Sequence, residues 1–347
     1  METMKALVYK DVGKIVLEER AIPNVKNPDD VLVKVAMAGF CGTDVKIAEG
    51  KHHVNPNTVL GHEFTGEVVE IGSHVTHIKI GDRVSIDNNI RCGFCDFCRM
   101  GLTSQCVEIK FNALGVMRDG GFAEYCLVPE KQCFVIPDDL DDKLGSQVET
   151  LATVVNGMNT LQMLPYDYVM ILGFGPIGYL FAQFAKNIAV KVAVTEIDPF
   201  RISVAKECGL TVWNPNEVDV VEKITEFTYG RKADIVVEAT GNAFEQALKC
   251  VTPGGKVLPF GMDSSITAKV VPNDVTRWAT KILGLYLGQN TMVPSIRIFR
   301  ENRLNMDPFF TKTLPLTEGE SAFSELGLNL DDLTHHDKNA MKITLKI

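Results

Sequence analysis

The sequence predicts an α/β protein in which a doubly wound parallel-sheet domain is inserted into a β-rich domain. Its 347 residues exceed the roughly 250–300 at which a single hydrophobic core usually divides, so two domains are expected. Residues 1–150 carry many short Val/Ile runs, residues 151–288 alternate between apolar runs and helical stretches, and residues 289–347 return to the first pattern. The last segment therefore belongs with the first domain.

The β-rich part is predicted from short strands separated by turn residues. The runs "VLVKVAMAG", "FTGEVVEIG" and "DRVSI" are rich in Val and Ile and are interrupted by Gly, Pro and Asp. Such runs are typical of a barrel or sandwich of short strands. The chain closes with "AMKITLKI", which alternates like a further strand.

The α/β part is predicted from a strand–turn–helix rhythm. It begins with "YVMILGFGPIG", continues through a helical stretch, and repeats the sequence of strand, turn and helix. The runs "ADIVVEATG", "GGKVLPFGM" and "KILGLYLG" are further buried-strand candidates at intervals that suit a parallel sheet.

Composition excludes several classes of partner. The chain is 46% hydrophobic and 23% charged, which suits a globular protein with substantial cores. A formal charge of −9 and a pI of about 5.4 argue against nucleic acid or an anionic membrane as the partner. The start lacks the apolar run of a secretory signal, and no apolar run is long enough to span a bilayer, so we expect a cytoplasmic protein.

A glycine turn predicts a dinucleotide site at the start of the α/β domain. In "ILGFGPIG", Gly173, Gly175 and Gly178 have the G-x-G-x-x-G spacing, with Pro176 and Ile177 between the last two. The first glycine permits the tight turn, the second lets a pyrophosphate approach the backbone, and the third allows close helix packing. The helix N-terminus then offers N–H groups to the pyrophosphate.

An acid at the end of the next strand favours NAD over NADP. Glu196 follows Gly178 by 18 residues, close to the spacing expected of a ribose-binding acid. Its carboxylate accepts both ribose hydroxyls and repels a 2′-phosphate. Arg201, which an NADP phosphate would welcome, is interpreted as lining the adenosine because it lies five residues further on.

Four of the nine cysteines form the sharpest metal signal. Cys92, Cys95, Cys98 and Cys106 fall within fifteen residues, "CGFCDFCRMGLTSQC", in a chain with an odd cysteine count and no secretory signal. Four thiolates on tight turns enclose a metal with no open position, as in a structural zinc site. A dithiol redox pair is the alternative for "CGFC", but the βαβ surroundings of that motif are missing.

A second metal site, with an open position, is predicted from scattered residues. Cys41 in "CGTD" and His62 in "GHE" are zinc-ligand types, and a catalytic zinc takes three protein ligands. Glu63 and Glu149 are the candidates for the acid that completes the set. With a thiolate, a neutral imidazole and one carboxylate, the site balances Zn²⁺ to zero formal charge.

At this point the sequence resembles the medium-chain, zinc-dependent alcohol/polyol dehydrogenases over essentially the whole chain. The shared motifs are "CGTD", "GHE", the cysteine stretch, "DGGFAEY", "ILGFGPIG", "VEATG" and "PGGKV", in that order. The resemblance implies a GroES-like β-barrel catalytic domain with a structural zinc lobe at about residues 88–110. It also implies a Rossmann-type NAD domain, a homodimer or homotetramer, and a branch similar to the sorbitol and threonine dehydrogenases.

The resemblance also implies roles for individual residues of the metal site. Cys41 and His62 match the catalytic zinc ligands, and Glu149 matches the third ligand position. Glu63 matches a glutamate that binds the metal directly or exchanges with Glu149 in some relatives. Asp44 matches the residue that orients the histidine.

Further positions concern substrate and cofactor. Thr43 matches the hydroxyl that receives the substrate proton, and Thr153 matches a residue that packs on the nicotinamide. Lys46 stands where some relatives have a relay histidine, which leaves the proton exit route open, and Asn156 replaces a frequent histidine. These departures concern the substrate pocket more than the reaction type.

The function implied is reversible, NAD-dependent oxidation of a secondary alcohol to a ketone. Polyols, vicinal diols and a β-hydroxy amino acid all remain open as substrates, with short-chain alcohols as the second class. A zinc-free NADPH enone or quinone reductase on the same fold, and a non-catalytic NAD-binding protein, are the alternatives. The number of zinc ions bound per subunit distinguishes these three classes of protein.

Overall fold

The computed structural model describes residues 2–347 and divides into two compact units. The first unit comprises residues 2–153, 288–303 and 310–347, and the second comprises residues 154–287 and 304–309. Within the described residues, none of the helices combines the length and apolar character that crossing a bilayer requires.

Strands and helices are numbered in chain order. The strands are β1 Thr3–Asp11, β2 Lys14–Ala21, β3 Asp30–Gly39, β4 Glu63–Ile71, β5 Arg83–Ile86, β6 Tyr125–Pro129, β7 Cys133–Val135, β8 Tyr168–Leu172, β9 Lys191–Thr195, β10 Thr211–Trp213, β11 Ala233–Glu238, β12 Val251–Pro259, β13 Lys281–Ile282, β14 Phe310–Pro315 and β15 Lys342–Lys346. The helices are α1 Gly42–Ala48, α2 Asp96–Arg99, α3 Ile109–Asn112, α4 Asp142–Ser146, α5 Val148–Leu161, α6 Pro176–Ile188, α7 Pro199–Glu207, α8 Val220–Phe227, α9 Phe244–Cys250, α10 Pro272–Arg277, α11 Met292–Arg300 and α12 Ser321–Glu325. Short 3₁₀ turns occupy Thr103–Gln105, Glu130–Gln132 and Leu316–Glu318.

The first unit is built on a mixed sheet in the order β14-β15-β3-β4-β5-β7, with β6 also paired to β3. The three strands predicted from the Val/Ile runs are β3, β4 and β5, and the predicted closing strand is β15. Strands β3, β4 and β15 are antiparallel neighbours, so Gly39 at the end of β3 lies opposite Glu63 on one side and Thr344 on the other. This pairing brings the C-terminal strand beside the predicted metal ligands.

The core of the first unit lies directly behind those ligands. Phe40 is buried, and its ring contacts Phe122 and Phe323 at centroid distances of 4.4 and 5.4 Å. Because Phe40 precedes Cys41 in the chain, the aromatic cluster fixes the backbone from which that thiol projects. Burial of large aromatic rings is the main apolar contribution such a cluster makes to stability.

The second unit contains a six-stranded sheet in the order β10-β9-β8-β11-β12-β13. All of its strand pairs are parallel, and the order reverses around β8, which is the doubly wound arrangement that the sequence predicts. Strands β8 and β11 are central and carry continuous buried runs, because side chains on both faces of a parallel sheet are covered.

The interpretation of "KILGLYLG" as a buried strand is wrong in extent and in burial. Only Lys281–Ile282 pairs with the sheet, at its edge beside β12, and both side chains are exposed. Leu287 has a φ of 56°, a left-handed conformation that an extended strand cannot contain. An apolar run alone does not distinguish a buried central strand from an exposed sheet edge.

Candidate functional site

One candidate metal centre lies at the end of β3 and the start of β4. The ligand atoms of Cys41, His62 and Glu63 all lie within 4.8 Å of one another. Cys41 is the N-cap of α1, and His62 immediately precedes Glu63, the first residue of β4. A tight group of thiolate, imidazole and carboxylate suits Zn²⁺. The structure therefore brings together three of the four sequence-predicted ligands of the catalytic site.

Asp44 lies behind His62 in the position of an orienting partner. Its Oδ2 accepts the Cys41 N–H at 2.8 Å, and its Oδ1 lies 3.7 Å from Nδ1 of His62. Among the described residues these two facing atoms, Oδ1 and Nδ1, are buried and have no hydrogen-bond partner. Because Nδ1 faces Asp44, Nε2 is the ring nitrogen left for a metal. A carboxylate behind a metal-bound histidine fixes its tautomer and orientation.

Electrostatics of the cluster follow from burial and crowding. Burial raises the pKa of Asp44 to about 6, although the His62 ring opposes that shift. Burial lowers the pKa of His62, but the charges of Cys41 and Asp44 outweigh burial and raise it well above its ordinary value. The excess of anionic groups, Cys41, Asp44 and Glu63, around one imidazole fits a divalent cation.

Glu63 is held by a buried ion pair that the sequence did not reveal. Nζ of Lys342, on β15, donates to Oε2 of Glu63, and both side chains are almost fully buried. Nε2 of Gln147 donates to the same oxygen at 3.2 Å. A Cβ at Gly39 would lie 2.2 Å from Nε2 of Gln147 and 2.6 Å from Oε2 of Glu63, so the cluster requires glycine there.

Glu149, the alternative acid, is buried near the cluster but outside the group within 4.8 Å. It belongs to the first turn of α5, and its carboxylate has no hydrogen-bond partner within the part of the chain that the structure describes. Burial raises the pKa of Glu149 to about 7, with His62 lowering it and Glu63 raising it. The structure thus distinguishes an acid that is already paired, Glu63, from one that is free, Glu149.

The second candidate metal centre is the four-cysteine group in the stretch 92–106. The sulfur atoms of Cys92, Cys95, Cys98 and Cys106 lie within 4.8 Å of one another, and all four cysteines are unbridged. Sγ of Cys92 is 3.5 Å from that of Cys106 and 4.0 Å from that of Cys98. Four sulfurs at the usual Zn–S bond length of about 2.3 Å are about 3.8 Å apart in a tetrahedron, so the group fits a closed zinc site.

Short turns position these thiols. Cys95 is the N-cap of α2, and its N–H donates to Sγ of Cys92 at 3.3 Å. Backbone N–H groups of Cys98 and Val107 lower the pKa of the Cys95 thiol to about 6. Burial raises the pKa of Cys98 to about 12, so this thiol does not ionise near neutral pH without a cation.

The glycine turn lies between β8 and α6, as the motif requires. Gly173 has a φ of 91°, which favours glycine, and a Cβ at Gly178 would lie 2.0 Å from the Gly173 carbonyl oxygen. Pro176 and Ile177 open α6, where the fixed φ of proline suits the first helical position. The turn therefore has the close helix–strand approach described for dinucleotide sites.

Glu196, the predicted acid, and Arg201 both lie against the glycine turn between β8 and α6. Oε2 of Glu196 accepts the Phe174 N–H at 2.8 Å, and Oε1 accepts the Ile197 and Asp198 N–H groups at 2.8 and 3.0 Å. Arg201 is 91% buried, its Nε has no partner among the described residues, and Nη1 lies 3.2 Å from the Cβ position of Gly175. A buried, unpartnered guanidinium beside a helix N-terminus fits the diphosphate of a dinucleotide.

Hydrogen bonds involve the side chains of the remaining predicted residues, which are Thr43, Thr153 and Asn156. The Cys41 thiol donates to Oγ1 of Thr43 at 3.7 Å, which places Thr43 beside the first metal cluster. The hydroxyl of Thr153 donates to the Thr150 carbonyl within α5. Asn156 donates to the Leu287 carbonyl at 2.7 Å.

Sequence reasoning missed the residues that support the metal ligands. Lys342 stands 279 positions from Glu63, so no local spacing connects them. Gln147 precedes Glu149 by two residues and has no motif of its own. The one signal available was Lys342 itself, because a lysine that begins the closing strand needs a partner if the strand is buried there.

Comparison with known proteins agrees with this geometry. Residues 27–138 match the family model "Alcohol dehydrogenase GroES-like domain", and residues 176–301 match "Zinc-binding dehydrogenase". The chain is 31% identical to D-arabitol-phosphate dehydrogenase of Enterococcus avium, covering 94% of this chain and 95% of the relative. It is 29% identical to sorbitol dehydrogenase of Bacillus subtilis, covering 92% and 93%.

A solved structure extends the likeness to the whole fold. It is described as a zinc-binding dehydrogenase from Sinorhizobium meliloti 1021 bound to NADP, with a TM-score of 0.91, 31% identity and full coverage of both chains. The two units, the paired metal-ligand groups and the glycine turn define a zinc-binding, nucleotide-dependent oxidoreductase fold. The chain belongs to the medium-chain, zinc-dependent alcohol/polyol dehydrogenase family.

The four-cysteine group is expected to hold structural zinc only. Cys95→Ser removes one of four ligands, so the purified variant should contain one zinc per subunit where the unaltered chain contains two. Its melting temperature should fall, while turnover measured below that temperature persists. Metal content by mass spectrometry and thermal unfolding are the measurements.

The matched control for that experiment is Cys133→Ala, which alters a buried cysteine outside both groups. This variant should retain both zinc ions. A Cys95→Ser protein that also retains two zinc ions contradicts the assignment.

The buried ion pair is expected to carry a large share of local stability. Lys342→Met leaves the Glu63 carboxylate buried without its cation, which typically costs about 3–5 kcal/mol in the free energy of unfolding. Lys342→Arg keeps the charge and should recover part of the loss, as should the double variant Lys342→Met/Glu63→Gln. Urea denaturation of the zinc-loaded proteins measures these differences.

Lys79→Met is the control, because Lys79 has an 84% exposed side chain and makes only a surface ion pair. Its free energy of unfolding should equal that of the unaltered chain. Equal stability of the Lys342→Met and Lys79→Met variants would show that the buried pair contributes nothing.

Proposed function

We propose that the protein oxidises a secondary alcohol of the polyol class to a ketone, reversibly, with NAD as hydride acceptor and zinc as metal. The observation that carries the proposal is the group Cys41, His62 and Glu63, which brings three zinc-ligand types within 4.8 Å of one another. The polyol and polyol-phosphate dehydrogenases among the relatives support the substrate class.

Cys41 and His62 are proposed as constant ligands of the catalytic zinc, with Glu149 as the third. Glu63 already accepts hydrogen bonds from Lys342 and Gln147, whereas the Glu149 carboxylate has no partner among residues 2–347. Zinc at this set supplies a Lewis acid that lowers the pKa of an alcohol hydroxyl. Cys92, Cys95, Cys98 and Cys106 are proposed to hold the structural zinc.

The chain's own side chains handle the proton and the orientation of the ligands. Thr43 accepts the hydroxyl proton and releases its own hydroxyl proton towards solvent, and its position beside the Cys41 thiol supports that role. Asp44 holds His62 in the tautomer that leaves Nε2 free, since its Oδ1 faces Nδ1. NAD, when bound, would accept the hydride of the carbinol carbon, which would become the carbonyl carbon of the ketone.

The dinucleotide is proposed to bind at the turn Gly173–Gly178, with its diphosphate at the N-terminus of α6. Arg201 offers its guanidinium to that diphosphate, since it lies against Gly175 without a partner of its own. Glu196 holds a negative charge at the turn and selects NAD. Thr153 is proposed to pack on the nicotinamide.

Self-association into a homodimer or homotetramer belongs to the same proposal. The edge strand β13 leaves backbone groups unpaired on its outer side, and the side chains of Ile282 and Trp278 are exposed there. Such an edge is a template for pairing with a second copy. Light scattering on the purified chain tests the stoichiometry.

The central experiment measures NADH formation from a panel of secondary alcohols by the unaltered chain and by His62→Ala. Loss of a zinc ligand removes several kcal/mol of charge stabilisation, so kcat/KM should fall by at least about a hundredfold. Zinc content should fall from two ions to one per subunit.

His53→Ala is the control, because His53 is exposed on the loop before the site. It should retain activity and both zinc ions. Unchanged turnover of a His62→Ala protein with the metal site empty would exclude this mechanism, and a chain that reduces enones with NADPH without zinc would favour the reductase alternative.

Cofactor choice is expected to depend on the Glu196 charge. Glu196→Gln keeps the size of the side chain and one acceptor oxygen but removes the charge that repels a 2′-phosphate, a repulsion between about 1 and 4 kcal/mol. The ratio of kcat/KM for NADP to that for NAD should therefore rise at least about tenfold. Glu207→Gln, on the exposed end of α7, should leave the ratio unchanged.

A further inference from the structure

A cavity in the first unit adjoins the proposed catalytic site. Its volume is about 210 Å³, and Glu149 reaches it from the first turn of α5. At about 30 Å³ per water this is room for roughly seven water molecules. Whole ligand pockets are commonly about 300–1,000 Å³, so the cavity has the size of a subsite.

One side of the cavity is a fixed polar frame. Oδ2 of Asp87 accepts from Nη1 of Arg91, and Nη2 of the same guanidinium donates to the Gly288 carbonyl at 3.0 Å. Oδ1 of Asp87 accepts from the backbone and side-chain N–H groups of Asn89 at 3.0 and 3.1 Å. The sole cation in the cavity lining is therefore already neutralised by a carboxylate.

The groups left for a ligand are chiefly neutral or acidic. Within residues 2–347, Oδ1 of the buried Asn89, the carboxylate of the buried Glu149 and the amide of the exposed Asn290 have no hydrogen-bond partner, and all three residues line the cavity. Glu149 is 92% buried. Phe134 and Met292 add apolar walls. With Glu149 proposed as a zinc ligand, the lining offers an acceptor at Asn89, an amide at Asn290 and apolar surface, and its other charged residues, Asp87 and Arg91, are paired with each other.

We propose that this cavity binds the hydroxylated chain of a neutral, unphosphorylated polyol, and that Asn89 and Asn290 determine this specificity. Hydroxyl groups can donate to Oδ1 of Asn89 and accept from the Asn290 amide, whereas a phosphate would find the one guanidinium of the lining already paired with Asp87. The inference rests on the proposed function, because it assigns the substrate class of the same site.

Asn290→Gly tests the role of the free amide. Asn290 has a φ of 56°, so glycine removes the side chain without straining the backbone. For sorbitol, kcat/KM should fall about 3- to 10-fold, as expected for one or two lost hydrogen bonds. For 2-butanol, which has no further hydroxyl, it should not change.

The matched control is Asn302→Gly. Asn302 has a φ of 51°, is exposed, and lies outside the cavity lining. Its kinetics with sorbitol and 2-butanol should equal those of the unaltered chain. An equal loss with both alcohols in Asn290→Gly, or no loss with sorbitol, overturns the assignment.

Asp87→Asn tests the exclusion of phosphate. The unaltered chain should use sorbitol at least about tenfold better than sorbitol 6-phosphate, by kcat/KM. The variant removes the charge that neutralises Arg91. The ratio of kcat/KM for sorbitol to that for sorbitol 6-phosphate should therefore fall severalfold. A chain that prefers sorbitol 6-phosphate, or a ratio that the variant leaves unchanged, contradicts the proposal.

A binding measurement separates this inference from the proposed function. Calorimetry of sorbitol with zinc-loaded protein and NADH should show binding that weakens in Asn290→Gly and not in Asn302→Gly. If no secondary alcohol is oxidised but this pattern holds, the proposed function fails and the cavity assignment stands. If alcohols are oxidised and sorbitol binds both variants equally, the cavity assignment fails alone.

Discussion

The buried contact between Lys342 and Glu63 is the interaction on which the candidate metal centre of Cys41, His62 and Glu63 depends. It joins the last strand of the chain to the strand that begins at the metal ligands, and it fits only because Gly39 leaves the space between them. Since an isolated buried charge is costly, the first unit reaches its stable form only when β15 has paired with β3. The site therefore belongs to the whole unit rather than to the local "GHE" segment.

The same contact makes Glu63 and Glu149 differ in how their charges are compensated. Glu63 shares its charge with a lysine, while Glu149 keeps a free carboxylate on the cavity side of the cluster. Two acids beside one histidine would repel each other if both were unpaired. A cation within the protein and a cation from solution each compensate one acid, which explains how three or more anionic groups are tolerated in a buried space.

Sequence reasoning predicted those parts of the molecule that local patterns encode. Strands β3, β4 and β5 follow from Val/Ile runs, and the turn at Gly173 follows from residues adjacent in the chain. The support of Glu63 by Lys342 depends on strand order, which no local pattern reports. Likewise, the left-handed Asn290 that faces the cavity has no neighbour in sequence that marks it. The sequence predicts a buried strand at the exposed edge Lys281–Ile282, because the apolar content of a buried strand and of an exposed edge strand can be the same.

The low pKa of the Cys95 thiol affects how the purified protein responds to oxidants. A thiol with a pKa of about 6 is mostly thiolate at neutral pH, and thiolates are the form that oxidants attack. A zinc ion held by the four cysteines, as proposed, would occupy that lone pair and so would shield the loop from oxygen and peroxide as well as shape it. A preparation that has lost this zinc to a chelator has three sulfur neighbours within reach of Cys95, and oxidation would trap wrong sulfur–sulfur bonds that added metal cannot reverse. Reductant must accompany zinc in any attempt at reconstitution.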